Sequence, residues 1–152
     1  MIDVERTFDR DYIISVVTHE KCWDACSDDG ACDPLLYFPC LDESVYWLKV
    51  EDYGLFMGVP QNMITYEAHT LLPFARGKAV ECCKSAATWM FENTLCERII
   101  TNVPSFNRAA KLLALKSGMK VIGVNEKSFK KNGIACDQTL LGFSKGDVLC
   151  QQ

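Results

Sequence analysis

The hydrophobic rhythm of this chain changes once, and sharply, between residues 44 and 93. SVYWLKV (44–50), LFMGV (55–59) and MITYEAHTLL (63–72) are β-branched and aromatic runs, and the last alternates over its length. Only Glu51 to Gly54 and Pro60 to Asn62 separate them, which makes the three strands antiparallel neighbours in a meander. After Pro73, which has no amide to give to a strand ladder, the period becomes helical. Residues 77–93 (GKAVECCKSAATWMFEN) place Val80, Cys83, Ala87 and Met90 on one stripe, with Glu81, Lys84 and Thr88 mainly away from it. A meander that runs straight into an amphipathic helix calls for a sheet with helices packed on it.

The flanking segments extend that pattern. IDVERTF (2–8) alternates weakly and predicts a first strand. Residues 9–18 carry Tyr12, Ile13, Val16 and Val17 at helical spacing behind acidic residues, and 19–27 continue or restart that helix. SDDGACDP (27–34) reads as a loop, and LLYF (35–38) as a short strand. ERIITNV (97–103) predicts a strand. SFNRAAKLLALKS (105–117) predicts a helix with Ser105 as N-cap and Gly118 as its stop. MKVIGV (119–124) and IACDQTLLGF (134–143) predict two more strands. The fold class is mixed α/β (α+β), with a central sheet flanked by helices.

Composition narrows the setting. At 152 residues one domain, 1–152, is expected, large enough to bury about 70% of its unfolded surface. A charged fraction of 24% and a hydrophobic fraction of 49% exclude a disordered or fibrous chain. No apolar run approaches the roughly 20 residues a bilayer requires, so no membrane association is expected. The opening MIDVERTFDRD mixes acids and bases, unlike a signal peptide, and the expected compartment is the cytoplasm.

A net charge of −4 argues against nucleic acid as a partner. The charge is unevenly spread: residues 1–60 hold 13 acidic and 4 basic side chains, and residues 61–152 hold 7 and 12. A basic second half suits a phosphorylated ligand. Nine cysteines, an odd number with no C-x-x-C, read as free thiols. His19, Cys22 and Cys26 share a helical face, with Cys32 and Cys40 following. Their spacings fit no zinc pattern, so no metal is expected, and a zinc-binding interaction module ranks last among the functions considered.

LLPFARGKA (71–79) joins the last meander strand to the long helix. A helix start presents unpaired amides and the positive end of the dipole, a ready site for phosphate oxygens. Gly77 lets the backbone approach a ligand closely, and Arg76 and Lys78 add charge. At this junction the chain resembles the GNAT superfamily of N-acetyltransferases, particularly the branch that acetylates ribosomal-protein N-termini. That superfamily carries Gln/Arg-x-x-Gly-x-Gly/Ala here, aligned with Phe74, Ala75, Arg76, Gly77, Lys78 and Ala79; Phe74 departs from the pattern and Ala79 takes a permitted form. Trp89 and Phe91 match an aromatic pair late in the helix, and Arg98-Ile99 the start of the next strand. Asn107, Ala110, Gly118-Met119 and Gly123 match later positions. The likeness runs over residues 63–124.

The resemblance implies a mostly antiparallel GNAT-like sheet and an acetyl-CoA-dependent N-acyltransferase acting on an amine, either a small molecule or a peptide N-terminus. It implies that residues 74–79 hold the coenzyme A pyrophosphate and that Asn107 reaches the pantetheine arm. Ala114 stands where many members have a leaving-group Tyr. The strand before the loop supplies candidate bases, Glu67 and His69, which alternation puts on one face with Ala68 and Thr70 on the other. Lys111, Lys116 and Lys120 are a basic reserve for the 3′-phosphate of coenzyme A; Lys127, Lys130 and Lys131 belong to the same reserve but read better as a solvated loop. Asp137 is a candidate to orient an amine. More loosely, the chain resembles small GNAT-like proteins encoded among the virion-assembly genes of short-tailed bacteriophages. That likeness implies the alternative of a non-catalytic protein that binds a protein partner during phage assembly.

Overall fold

A computed structural model describes residues 1–31 and 42–150. The strand expected at 35–38, together with Cys32 and Cys40, lies outside the described residues. In chain order the elements are β1 (Val4–Arg6), α1 (Arg10–Val17), α2 (Trp23–Cys26), β2 (Tyr46–Val50), β3 (Gly54–Pro60), β4 (Thr65–Leu71), α3 (Ala79–Asn93), β5 (Arg98–Pro104), α4 (Arg108–Lys116), β6 (Lys120–Lys131), β7 (Ile134–Ser144) and α5 (Lys145–Leu149). The described strands form one seven-stranded sheet in the order β1-β2-β3-β4-β5-β7-β6. Every neighbouring pair is antiparallel except β4 and β5. No described helix is long and apolar enough to cross a membrane.

Strand alternation divides the core into two layers. Leu48, Val50, Phe56 and Ala68 pack with Cys82, Ala86, Met90 and Phe91 of α3. Trp47, Leu55, Met57 and Leu71 face the other way, onto Ile13, Val16 and Val17 of α1. Of the stripe read on α3, Cys83, Ala87 and Met90 are buried and Val80 is half-buried; Cys82, Ala86 and Phe91 widen it, and Thr88, expected to face away, is buried as well. Asp9 caps α1 by accepting the Tyr12 amide at 3.1 Å.

Three sequence expectations are corrected. The N-cap of α4 is Asn107, not Ser105; its Oδ1 accepts the Ala110 amide at 3.1 Å. Lys127, Lys130 and Lys131 are not in a loop but in β6, which runs on to Lys131. Asn132 and Gly133 then turn the chain with φ of 53° and 77°, the left-handed pair that a two-residue hairpin turn requires. The strand expected to end at Val124 therefore continues past a bulge between Asn125 and Phe129. Asp137 serves that bulge, its carboxylate accepting the Lys127 amide at 2.8 Å. The short helix α5 was not anticipated.

Gly54 fixes how β3 and β4 meet. Its φ is 141°, and a Cβ there would lie 2.1 Å from the Leu71 carbonyl oxygen. Gly123 has nothing within 4 Å of where its Cβ would be. Gly54→Ala should therefore cost about 2 kcal/mol or more, and Gly123→Ala less than about 1 kcal/mol, read from urea midpoints of the two variants against the parent.

Candidate active site

The one parallel pair in the sheet is short. β4 and β5 pair at Thr65–Arg98, Tyr66–Ile99 and Glu67–Ile100, and no further. The next link is made by a side chain, Thr101 Oγ1 donating to the Ala68 carbonyl at 3.0 Å. Beyond it, β4 pairs with β3 alone through Leu71, and β5 turns to β7 through Pro104. The sheet therefore opens along its middle, and the β4 edge at residues 69–71 keeps backbone groups without a strand partner. Such groups need an acceptor or donor from elsewhere.

A cavity sits on each face of the opening. On the α3–α4 face, Ala68, Thr70, Thr101, Ala110, Ala114 and Met119 line a small space of about 60 Å³. On the α1 face, Glu67, His69, Asn102, Asn107 and Phe129 line one of about 130 Å³. His69, Leu71, Cys26 and Phe129 also line a larger neighbour of about 370 Å³, under α2.

Glu67 and His69 share a face, as alternation requires, and stand together: His69 Nε2 lies 3.4 Å from Glu67 Oε1. The side chains are 22% and 36% exposed, so the pair is reached by solvent yet partly sheltered. Hydrogen bonding from His69 holds the Glu67 carboxyl below the usual carboxylate range, against the opposing effect of burial; Asn102 of β5 adds a second hydrogen bond. A carboxylate held down in this way is a weaker base than a free one. Sequence reading did not single out Asn102. Its place depends on the β4–β5 register, and nothing local encodes that.

At the end of the opening lies the β4–α3 loop. Three backbone hydrogen bonds fold it: Phe74 N to Tyr53 O at 3.2 Å, Ala75 N to Leu72 O at 3.3 Å and Lys78 N to Ala75 O at 2.7 Å. Arg76 and Gly77 follow one another with φ of 45° and 87°. The amides of Arg76 and Gly77, and those of Ala79, Val80 and Glu81 in the first turn of α3, have no acceptor among the described residues. A Cβ on Gly77 would meet no protein atom within 4 Å. Successive left-handed residues ahead of a helix start turn several amides toward one point, an arrangement suited to phosphate oxygens.

The six residues expected at this loop divide by role. Ala75 is buried and anchors it. Phe74 is exposed and meets His19 edge-on, with ring centroids 5.1 Å apart. Arg76 and Gly77 form the turn, and Ala79 opens the helix. Lys78 Nζ is held by the Glu81 carboxylate at 3.0 and 3.2 Å, an exposed pair of small energetic worth that a stronger anion can displace. Asn107 has both amide ends engaged: beside its capping bond, Nδ2 donates to the Ala25 carbonyl at 3.3 Å.

The Asn107–Ala25 bond is one of three ties that hold the α2 segment over the α1-face cavities. Lys131 Nζ reaches the carbonyls of Asp24 and Ser27, both at 2.8 Å. The Asp29 carboxylate accepts the amides of Asn132 and Gly133 at 2.8 and 2.9 Å, and these bonds hold its pKa below the ordinary value. The tip of the β6–β7 hairpin is thereby fastened to the first helical region. Among the described residues no group of three or more His, Cys, Asp or Glu side chains is placed to hold a metal ion. The seven described cysteines are free, and burial pushes the thiols of Cys22 and Cys96 up to about 11 and that of Cys83 up to about 12.

No protein-family profile matches the sequence, and no curated protein sequence matches it. Solved structures do. The spermidine N-acetyltransferase of Vibrio cholerae, in complex with CoA and spermine, superposes with a TM-score of 0.73 at 16% identity, over 97% of this chain and 98% of that one. The ribosomal-protein-S5-alanine acetyltransferase of Vibrio fischeri gives 0.71 at 15% identity, over 97% and 94%. The alignments span nearly the whole of each chain, well beyond the segment that carries the sequence motifs. With its mostly antiparallel seven-stranded sheet, its single parting between parallel neighbours and the loop-to-helix junction at that parting, the chain has the fold of the GNAT N-acetyltransferases.

Proposed function

We propose that the protein is an acetyl-CoA-dependent N-acetyltransferase whose acceptor is an amine. The observation that carries this reading is the coincidence of two features at one place: an opening between β4 and β5, and at its end a loop that leaves five amides without an acceptor among the described residues, around a glycine with room beside it. Pyrophosphate oxygens suit the amides of Arg76, Gly77 and the first turn of α3, and the amide groups of a pantetheine arm suit the unpaired edge of β4 beyond Ala68. The structural relatives named above, a spermidine N-acetyltransferase and a ribosomal-protein-S5-alanine acetyltransferase, support the same reaction class.

Acetyl-CoA supplies an activated acyl carbonyl and a thiolate leaving group. The chain must then take a proton from the acceptor. We assign that task to His69 with Glu67 beside it. Hydrogen bonds from His69 and Asn102 hold the Glu67 carboxyl down and weaken it as a base. Glu67, 3.4 Å from Nε2, orients the imidazole. The nitrogen–carbon bond forms as the carbon–sulfur bond breaks, and the proton gained by the imidazole is available, through solvent, to the departing thiolate. Ala114 offers no hydroxyl for that last transfer.

Coenzyme A at one hundred times its dissociation constant should stabilise the fold by about 2.7 kcal/mol, a thermal shift of about 5–10 °C for a chain of this length. Gly77→Ala should lose most of that shift; its Cβ meets no protein atom, but the φ of 87° strains any side chain there, so the unliganded midpoint should also fall, by the few degrees that about 1–2 kcal/mol represents, and the coenzyme A shift is read against the variant's own midpoint. An absent shift at millimolar coenzyme A overturns the reading and favours the alternative of a GNAT-fold assembly protein.

Once an acceptor has been found by screening amines with acetyl-CoA, His69→Gln should slow turnover about a hundredfold or more, the range of general-base assistance. Glu67→Gln should slow it less, with coenzyme A binding unchanged in both. Turnover of His69→Gln at the parent rate removes His69 from the mechanism.

A further inference from the structure

The small cavity on the α3–α4 face contains a polar group that the fold leaves unused. Ser117 directly follows α4 and closes it as its C-cap, with its amide bonded to the Leu113 carbonyl at 2.9 Å. The residue is 5% exposed, and its Oγ has no hydrogen-bond partner among the described residues. A buried hydroxyl in that state is costly and calls for an explanation. It acts on the neighbouring Cys83 thiol, but burial outweighs this and pushes that thiol up to about 12, so the sulfur stays protonated and is a weak partner. Ser117 lies three residues beyond Ala114, on the same helical face, and both line the space of about 60 Å³ together with Ala68, Thr70 and Thr101. That volume exceeds what one water needs. Thr70 is exposed, and Ala68 and Thr101 make the last link between the parting strands, so the space opens where the β4–β5 ladder stops. Among the described residues lining it, no side chain is charged and Cys83 is the one titratable group.

We propose that the Ser117 hydroxyl serves the sulfur of the acyl donor, donating a hydrogen bond to the thiolate as it departs; this rests on the acetyl-transfer reading above. With the pyrophosphate at residues 76–81 and the pantetheine arm along the β4 edge, the sulfur end comes to Ala68 and Thr101, the mouth of this space. The two faces of the parting then divide the work. His69, on the α1 face, takes the proton of the acceptor as the nitrogen–carbon bond forms. Ser117, on the other face, stabilises the electron pair that stays on sulfur as the carbon–sulfur bond breaks, and its own proton remains on oxygen. Solvent supplies the proton of the thiolate afterwards. Within apolar walls such a bond is stronger than in water. The negative charge develops only as the bond breaks, so the hydroxyl favours the transition state over the bound substrate. Ala114, one turn earlier, adds neither bulk nor a rival hydroxyl.

The test reads the thiol itself. Coenzyme A and desulfo-coenzyme A are each bound to the full chain, and the difference in ultraviolet absorbance between the two complexes follows thiolate formation with pH. Ser117→Ala should raise the midpoint of that titration by about one pH unit or more, the tenfold worth of one hydrogen bond to a charged group. It should leave the unliganded melting point unchanged or higher, because the hydroxyl it removes has no partner. Ser117→Thr keeps the hydroxyl and should keep the parent's titration midpoint. With an acceptor found, Ser117→Ala should lower kcat about tenfold and leave KM for acetyl-CoA little changed. The inference is overturned by an unchanged titration midpoint in Ser117→Ala, by a midpoint in Ser117→Thr displaced as far as in Ser117→Ala, or by a melting point that Ser117→Ala lowers by several degrees. The two levels separate cleanly. Coenzyme A bound by the parent, with an unmoved midpoint in Ser117→Ala, leaves acetyl transfer standing and removes Ser117. Coenzyme A that does not bind the parent removes the transfer reading and this assignment with it.

Discussion

The structure depends on a ladder that stops. β4 and β5 hold each other through three residue pairs and one threonine hydroxyl, then part. Backbone groups inside a protein are ordinarily satisfied by a neighbour, so an interior edge left open is a place for a ligand to complete. The parting also lets both layers of the core reach the centre of the sheet. α3 and α4 close one side and the α1–α2 region the other, and a cavity forms on each. Gly54 matters for the same reason: only a residue without a Cβ lets β3 run so close to Leu71 that β4 keeps its line to the loop.

Function in this account comes from β4 and the loop that follows it. At one end the chain must leave a strand and enter a helix on the sheet's face within seven residues. It does so through Arg76 and Gly77 in left-handed conformation, and the amides of Arg76, Gly77, Ala79, Val80 and Glu81 are left without an acceptor among the described residues. Within the strand Glu67 and His69 project to the α1 side, where His69 lines both the opening and the cavity under α2. The β6–β7 hairpin joins these parts. It is long and mostly exposed, and its tip bonds back to residues 24–29, giving the acceptor side a roof that the meander alone lacks.

Much of this was legible in the sequence, and the reasons are local. The period-two runs, the break at Pro73 and the 3.6-residue stripe of α3 each follow from side chains adjacent in sequence, and so does the shared face of Glu67 and His69. What was missed depends on contacts distant in sequence or on conflicting local signals. Asn102 acquires its role from the register of β5 against β4. Trp23 and Phe129 meet across a cavity between residues more than one hundred positions apart. Lys127, Lys130 and Lys131 looked like a solvated loop because lysine clusters usually are, yet Asn132-Gly133 turns the chain there and extends the strand through them. Ser105 looked like a cap, but Asn107 takes that position because its amide serves α4 and the Ala25 carbonyl together.

The claim that the opening and its loop form a coenzyme A site is tested most directly by amide chemical shifts recorded while coenzyme A is added to the isotope-labelled protein. The account predicts that the largest changes fall on the amides of Arg76, Gly77, Ala79, Val80 and Glu81, with a second group on His69 to Leu71 along the open edge of β4. Saturating changes concentrated elsewhere, with the amides of residues 76–81 unmoved, would contradict it.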